Sequence, residues 1–156
     1  MSTMSNEIER AQDELVSEFR LFDDWMGRYE YLIDLGKQLP EFPADWQIEK
    51  NRIHGCQSQV WIRSEMRDGR LHFDGTSDAA IVRGLIAVLF RVFNDRAPDE
   101  LLASTAEFLS DIGFAQHLSP TRSNGLYAML ESIYYRARLC AASEKHREGA
   151  SDRSCQ

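Results

Sequence analysis

Cysteine is scarce in this sequence, and the few cysteines are not spaced as a disulfide framework or a zinc site requires. The three cysteines are Cys56, Cys140 and Cys155, and no two of them form a C-x-x-C pair. An odd number without ligand spacing argues against both kinds of site. Cys140 falls in a helical pattern, where a free cysteine commonly packs as a small apolar side chain. Cys155 is the second-last residue and is expected in a polar tail. Of the three cysteines, Cys56 is therefore the one with a distinctive sequence setting.

Metal ligands are equally sparse, because the four histidines show no ligand spacing either. Solvated or core histidine is the simpler interpretation of each of them. An iron–sulfur scaffold would need three converging cysteines, and Cys140 and Cys155 are badly placed for that. The sequence therefore predicts no metal site.

Positive charge and long hydrophobic runs are also lacking. The 18 basic and 25 acidic residues give a net charge of −7, and this argues against nucleic-acid binding, because phosphate neutralisation needs clustered Lys and Arg. The longest apolar stretch, residues 84–90, is closed by Arg83 and Arg91 and is too short to span a membrane. Residues 1–7 show no signal-peptide pattern, so a cytoplasmic location is expected.

The patterns that are present predict one α+β domain over residues 1–143, followed by a polar tail, 144–156, that is expected to be disordered. Apolar residues at helical spacing predict five helices. These are a helix over 6–21 with Ser5 as its cap, a second capped by Asp23 or Asp24, a third capped by Ser77 or Asp78, a fourth over 98–109 and a last over 121–143.

Between the second and third helices the pattern is that of a small antiparallel sheet. Strands are predicted over residues 51–55, 58–67 and 70–75, and Asp68-Gly69 is a two-residue hairpin signal. A three-stranded sheet with one apolar face needs a cover, which the helices supply. The expected fold is therefore a three-stranded antiparallel sheet covered by helices.

The stretch around Cys56 has the composition of a loop tip between strand-like residues. Gly55 permits a sharp bend just before the thiol, and Gln57 and Ser58 suit a loop. From the residues alone, a small side chain packed in a turn is about as good an interpretation as a reactive thiol. Arg52, His54 and Arg63 are close in sequence and would favour a thiolate. No segment predicts the base across a cleft and the oxyanion hole that a cysteine hydrolase needs.

Four segments, in order, resemble the SufE family of sulfur acceptor proteins. They are residues 35–40, the Gly-Cys-Gln-Ser-Gln-Val-Trp run at 55–61, residues 74–87 and residues 116–126. The similar region runs from about residue 12 to about 142. The resemblance implies the α+β fold of that family, which is like that of the iron–sulfur scaffold proteins. It also implies that Cys56 carries a persulfide, supported by Gly55, Gln57 and Ser58.

The resemblance further implies a function in sulfur transfer. Such proteins take sulfur from a pyridoxal-phosphate cysteine desulfurase of the SufS or CsdA type, stimulate it, and pass the sulfur to an iron–sulfur scaffold complex. They are not stand-alone enzymes and need no cofactor of their own. His54 and Arg122 are candidate partner contacts, although a surface salt bridge or a cap contact explains Arg122 equally well.

A second hypothesis belongs to another class of protein. The same scaffold could serve as a thiol-bearing binding or redox-sensing module that carries no sulfur. Replacement of Cys56 by serine would separate the two, because only a carrier loses sulfur acceptance. The sequence does not choose between a monomer and a homodimer.

Overall fold

A computed structural model describes residues 7–146, with side-chain burial as far as residue 143, and these residues form an α+β fold. The helices and strands in chain order are α1 (Glu7–Phe19), α2 (Trp25–Lys37), β1 (Val60–Arg67), β2 (Arg70–Ser77), α3 (Ala80–Phe93), α4 (Pro98–Ala103), α5 (Phe108–Ile112), α6 (Phe114–His117) and α7 (Pro120–His146). The predicted cap Ser5 and residues 147–156 lie outside the described residues. Helix α7 continues to His146, three residues into the segment for which we predicted disorder.

The antiparallel sheet of the described residues has two strands, so the prediction of a third strand over residues 51–55 is wrong. A 3-10 turn occupies Glu49–Asn51, and Gly55 adopts a left-handed conformation with φ of 93°. Between these two bends only a single bridge to β1 forms, from Arg52 to Trp61. The predicted hairpin is confirmed, since β1 and β2 pair directly and Asp68 and Gly69 both have positive φ, as a type I′ turn requires.

Helix α3 is the central helix, and it packs against both the sheet and α2. Leu85, Leu89 and Phe93 are fully buried on it. The helices approach closely at two glycines, because a Cβ on Gly84 would lie 2.3 Å from the Leu32 carbonyl oxygen, and one on Gly36 would lie 2.7 Å from the Gly84 nitrogen. This crossing fixes the position of α3, which forms part of the candidate site.

The predicted helix over residues 98–109 is two helices, α4 and α5. Helix α4 ends where the Ser104 hydroxyl donates to the Leu101 carbonyl at 2.6 Å. Such a bond from a serine side chain to the nearby backbone competes with the backbone hydrogen bonds of a helix. Ala97 provides no side-chain cap, but the Glu100 carboxylate accepts its N–H at 3.2 Å. At α2 the predicted cap is confirmed, because Asp24 accepts the Gly27 N–H at 2.9 Å.

Helix α7 buries Cys140, which is 1% exposed. Its side chain packs in the apolar core of the fold. Within residues 7–146, no helix combines the length and apolar character needed to cross a membrane.

Candidate functional site

Residues 54–59, the Cys56 loop, are tied at both ends to the rest of the fold. At the front the Ile53 N–H donates to the Val60 carbonyl at 2.9 Å. At the back the Asp78 carboxylate accepts the Gln59 N–H at 3.1 Å, while the Asp78 N–H donates to the Gln59 carbonyl at 3.3 Å. The prediction that Ser77 or Asp78 caps α3 is wrong, because Ala79 holds the cap position; Asp78 instead tethers this loop.

The tethered loop lies directly on helix α7. The Cys56 thiol donates a weak hydrogen bond to the Gly125 carbonyl, with 3.7 Å between sulfur and oxygen. A Cβ on Gly125 would lie 3.4 Å from the Cys56 sulfur, and one on Gly55 would lie 3.4 Å from the Ala128 methyl. Because residue 125 is a glycine, the sulfur can lie directly against the backbone of α7. Cys56 is half-buried there.

Beside the thiol is a cavity of about 300 Å³ between the loop, α3 and α7. Its floor is apolar and buried, and its rim is polar, with Arg122 as the charged residue among the described lining residues. The floor is made by Val82, Leu85, Leu126 and Met129, and the rim by Gln57, Ser58, Ser119, Thr121 and Arg122. The thiol thus faces a cavity with an apolar floor and a polar rim.

The structure brings most of the candidate residues together. Cys56, Gln57, Ser58 and Arg122 line the same cavity, and Gly55 provides the bend behind the thiol. His54 does not join them. Its Nε2 lies 2.7 Å from a Glu49 carboxylate oxygen, and its side chain is 72% exposed.

Two features of the site were not predicted. Gly125 provides the surface on which the thiol rests, and the Ser119 hydroxyl accepts the Arg122 N–H at 3.2 Å, which fixes the first turn of α7 at the cavity rim. A glycine inside an otherwise helical pattern is the signal that could have revealed the first, because such a glycine usually has a packing or functional reason. Ser119 directly before Pro120 is a readable cap signal.

Burial controls the electrostatics of the thiol. Desolvation raises the pKa of Cys56, and the positive charge of Arg52 opposes that rise only in part. Cys56 at rest is therefore a neutral thiol at pH 7 rather than a preformed thiolate. It is protected from indiscriminate reaction, because the thiolate is the nucleophile.

We expect this raised pKa to appear in the rate at which iodoacetamide alkylates Cys56. The midpoint of the rate-against-pH curve should lie above that of an unstructured cysteine peptide, about 8.5. Arg52→Gln should move it higher still, because it removes the charge that lowers the pKa. The measurement follows the peptide that contains residue 56 by mass spectrometry. A midpoint below that of the free peptide would contradict the account.

No group of three or more His, Cys, Asp or Glu side chains converges on a metal position among residues 7–143. The donor set around Cys56 is likewise poor, because the described residues that line the cavity offer one thiol, one thioether, hydroxyls, an amide and a guanidinium, but no carboxylate or imidazole.

The comparisons with known proteins agree with this fold and show the family. The family model SufE, described as an Fe-S metabolism associated domain, matches residues 13–137. An uncharacterised SufE-like protein of Rhizobium meliloti is 39% identical over 126 residues, covering 78% of this chain and 90% of the relative. A SufE-like protein of Rhizobium etli is 38% identical over 136 residues, covering 84% and 92%.

A solved structure supports the fold alone. The solution structure of a hypothetical protein from Thermus thermophilus superposes with a TM-score of 0.70 at 19% identity, covering 85% of this chain and 96% of that one. Fold and site together define a small α+β protein that presents a sheltered thiol. The chain belongs to the SufE family, and its role lies in iron–sulfur metabolism.

Proposed function

We propose that this chain is a sulfur carrier. It accepts sulfur on Cys56 from a pyridoxal-phosphate cysteine desulfurase of the SufS or CsdA type, stimulates that enzyme, and delivers the sulfur to an iron–sulfur scaffold complex in the cytoplasm. The observation that carries the proposal is the position of Cys56, on a loop tethered at both ends and beside a cavity with an apolar floor.

The transfer step needs only the thiol of this chain. The neutral Cys56 thiol first gives up its proton, which the departing desulfurase thiolate can take up. The resulting Cys56 thiolate attacks the terminal sulfur of a persulfide on the desulfurase, and the sulfur–sulfur bond of that persulfide breaks. The terminal S–H is then bonded to Cys56, and the desulfurase cysteine leaves as a thiolate, so atoms and charge balance. The desulfurase holds the pyridoxal phosphate, and this chain provides no cofactor of its own.

The cavity suits the product of this step. A water molecule occupies roughly 30 Å³ in the liquid, and one additional sulfur atom needs a space of similar size. A cavity of about 300 Å³ therefore holds that atom without displacing the lining. Buried Leu85 and Leu126 form part of the floor and keep water and small thiols from the persulfide. Arg122 and His54 are exposed beside the loop, where we propose that they contact the desulfurase.

The alternative of a redox-sensing thiol is less well supported. Thiols that sense oxidants have a low pKa and are exposed, because oxidants react with the thiolate. Cys56 has a raised pKa and is half-buried. These properties favour a group that reacts only when a partner engages the loop.

The test of the proposal is the rate at which a cysteine desulfurase turns over cysteine as this chain is added. We expect the rate to rise and saturate with the concentration of the chain, because acceptance of the sulfur regenerates the desulfurase thiol for another cycle. The Cys56→Ser variant should give no rise. If the wild-type chain leaves the rate of its cognate desulfurase unchanged, the proposal is wrong.

Gly125→Ala tests the space beside the thiol. The new methyl group would lie in ordinary contact with the Cys56 sulfur, at 3.4 Å, so the fold should survive. Helix propensity should even favour alanine by up to about 1 kcal/mol. Sulfur acceptance should slow by roughly tenfold or more, because small displacements of reacting groups are costly.

The matched control for Gly125→Ala is Asn124→Ala, an exposed change in the same turn of α7. Single-turnover transfer from a preloaded desulfurase measures both variants. Equal rates for Gly125→Ala and the wild type would show that this space has no role.

A further inference from the structure

A second concave surface of this acidic protein is lined by positive charge. We name it the arginine groove and define it by Arg52, Arg63 and Arg136 together with Trp46, Ile48 and Tyr135. Its volume is about 540 Å³, and no Asp or Glu is among the described residues that line it. With a net charge of −7 over the whole chain, such a concentration of arginine is unexpected.

Arg136 is held in the groove by two serine hydroxyls. Its guanidinium donates to the Ser64 hydroxyl at 3.0 Å and to the Ser132 hydroxyl at 3.2 Å. Burial lowers the pKa of Arg136, because its charge is desolvated there, and no Asp or Glu of the described residues lines the groove around it. A desolvated charge of this kind costs stability unless something else compensates for it.

The other two arginines are also incompletely satisfied. Arg52 lies 5.7 Å from the centre of the Trp61 ring, and among the described residues no group accepts a hydrogen bond from its buried Nε. Arg63 lies 4.3 Å over the Trp46 ring, and the Glu65 carboxylate that faces it is 3.8 Å away. A guanidinium group that lies over an aromatic ring can still offer N–H donors to a carboxylate.

Apolar side chains at the rim complete the surface. Ile48, Tyr135 and Leu139 line the groove although they are 47%, 55% and 40% exposed. Large exposed apolar residues grouped in this way are typical of protein interaction sites. Desolvated arginines with an apolar rim match a protein segment in which acidic side chains stand beside apolar ones.

The groove is continuous with the Cys56 loop. Arg52 and Tyr135 also line a shallower depression that reaches Ile53 and His54, two residues before the thiol. A partner that reaches Cys56 from this side covers the groove. The depression contains Glu131, so the acidic group of the partner is expected at the Arg136 end.

We propose that the arginine groove receives an acidic segment of the cysteine desulfurase. This inference rests on the proposed function, since it names the surface with which the same partner is held. Pairing with carboxylates would compensate the desolvated charge of Arg136 and satisfy the donors of Arg52 and Arg63. The groove then contributes affinity and orientation, while the chemistry stays at Cys56.

The test compares desulfurase affinity among variants that each remove one positive charge. Arg136→Gln and Arg63→Gln alter the groove, and Arg20→Gln, an exposed change outside both the groove and the Cys56 cavity, is the control. Titration calorimetry with the cognate desulfurase should show a Kd about tenfold higher for each groove variant, and the difference should shrink at high salt. Single-turnover transfer at saturating desulfurase should change less than about twofold, because the groove contributes to affinity and orientation rather than to the chemical step.

Thermal unfolding distinguishes this role from a structural one. Arg136→Gln should unfold at the same temperature as the wild type or higher, because it removes a desolvated charge. Affinity equal to that of Arg20→Gln overturns the proposal for the groove while leaving the carrier function intact. Tight binding of inorganic phosphate together with unchanged desulfurase affinity assigns the groove to a small anion instead. A wild-type chain that neither binds the desulfurase nor accepts sulfur overturns both proposals.

Discussion

Cys56→Ser is expected to abolish sulfur acceptance and to leave the fold unchanged. Serine is close to cysteine in size but forms no persulfide, so the loss should be complete rather than partial. The position is half-buried in a loop, and the unfolding free energy should change by no more than about 1 kcal/mol. Stimulation of the desulfurase that depends on sulfur removal should disappear with acceptance.

Ala103→Ser is the control for that variant, because it introduces the same hydroxyl on the exposed end of α4. Both variants are compared by turnover of the desulfurase and by circular dichroism during heating. Residual acceptance by Cys56→Ser above the background of the control would mean that another group carries the sulfur. A large fall in its unfolding temperature would mean that Cys56 has a structural role.

Gly84→Ala is expected to give the largest loss of stability of any single methyl addition considered. A Cβ at this position would lie 2.3 Å from the Leu32 carbonyl oxygen and 2.8 Å from its carbonyl carbon, so the backbone of α2 has to move. Overpacking typically costs roughly 1–3 kcal/mol, and a clash with backbone belongs at the upper end. For a domain of this size, about 3 kcal/mol corresponds to an unfolding temperature lower by roughly 6–12 °C.

The sign of this effect is decisive, because helix propensity alone favours alanine over glycine by about 1 kcal/mol. Gly27→Ala on α2 is the matched control, since its nearest neighbours are side-chain atoms at 3.2–3.4 Å. Urea unfolding measures both. A Gly84→Ala variant as stable as the wild type would show that α2 and α3 do not meet as described.

The same change should also disturb the site. Gly84 lies between Val82 and Leu85, which form part of the cavity floor. When α3 moves away from α2, that floor moves under the thiol. We therefore expect Gly84→Ala to lower stability and sulfur acceptance together.

Features specified by local chemistry were predictable from the sequence. The Asp68-Gly69 turn needs residues that tolerate positive φ, and both adopt it. Apolar Leu71 and Phe73 alternate with polar residues in the sequence, and both are buried on one face of β2. In each case the decisive neighbours are a few residues away in the chain.

Features specified by distant contacts were not predictable in the same way. Residues 51–55 were predicted to be a strand, but the left-handed conformation of Gly55 sends the chain over α7 instead. The contact that defines the site joins Cys56 to Gly125, 69 residues away. His54 is near Cys56 in sequence, whereas its side chain turns to Glu49 rather than into the cavity.

The central claim is that Cys56 becomes a persulfide, and intact-protein mass spectrometry tests it most directly. The chain is incubated with a cysteine desulfurase and cysteine, and its mass is measured under non-reducing conditions. The account predicts an addition of about 32 Da, one sulfur, located on the peptide that contains Cys56, removed by a thiol reductant and absent from Cys56→Ser. An unmodified Cys56 after incubation with a competent cognate desulfurase would contradict the account.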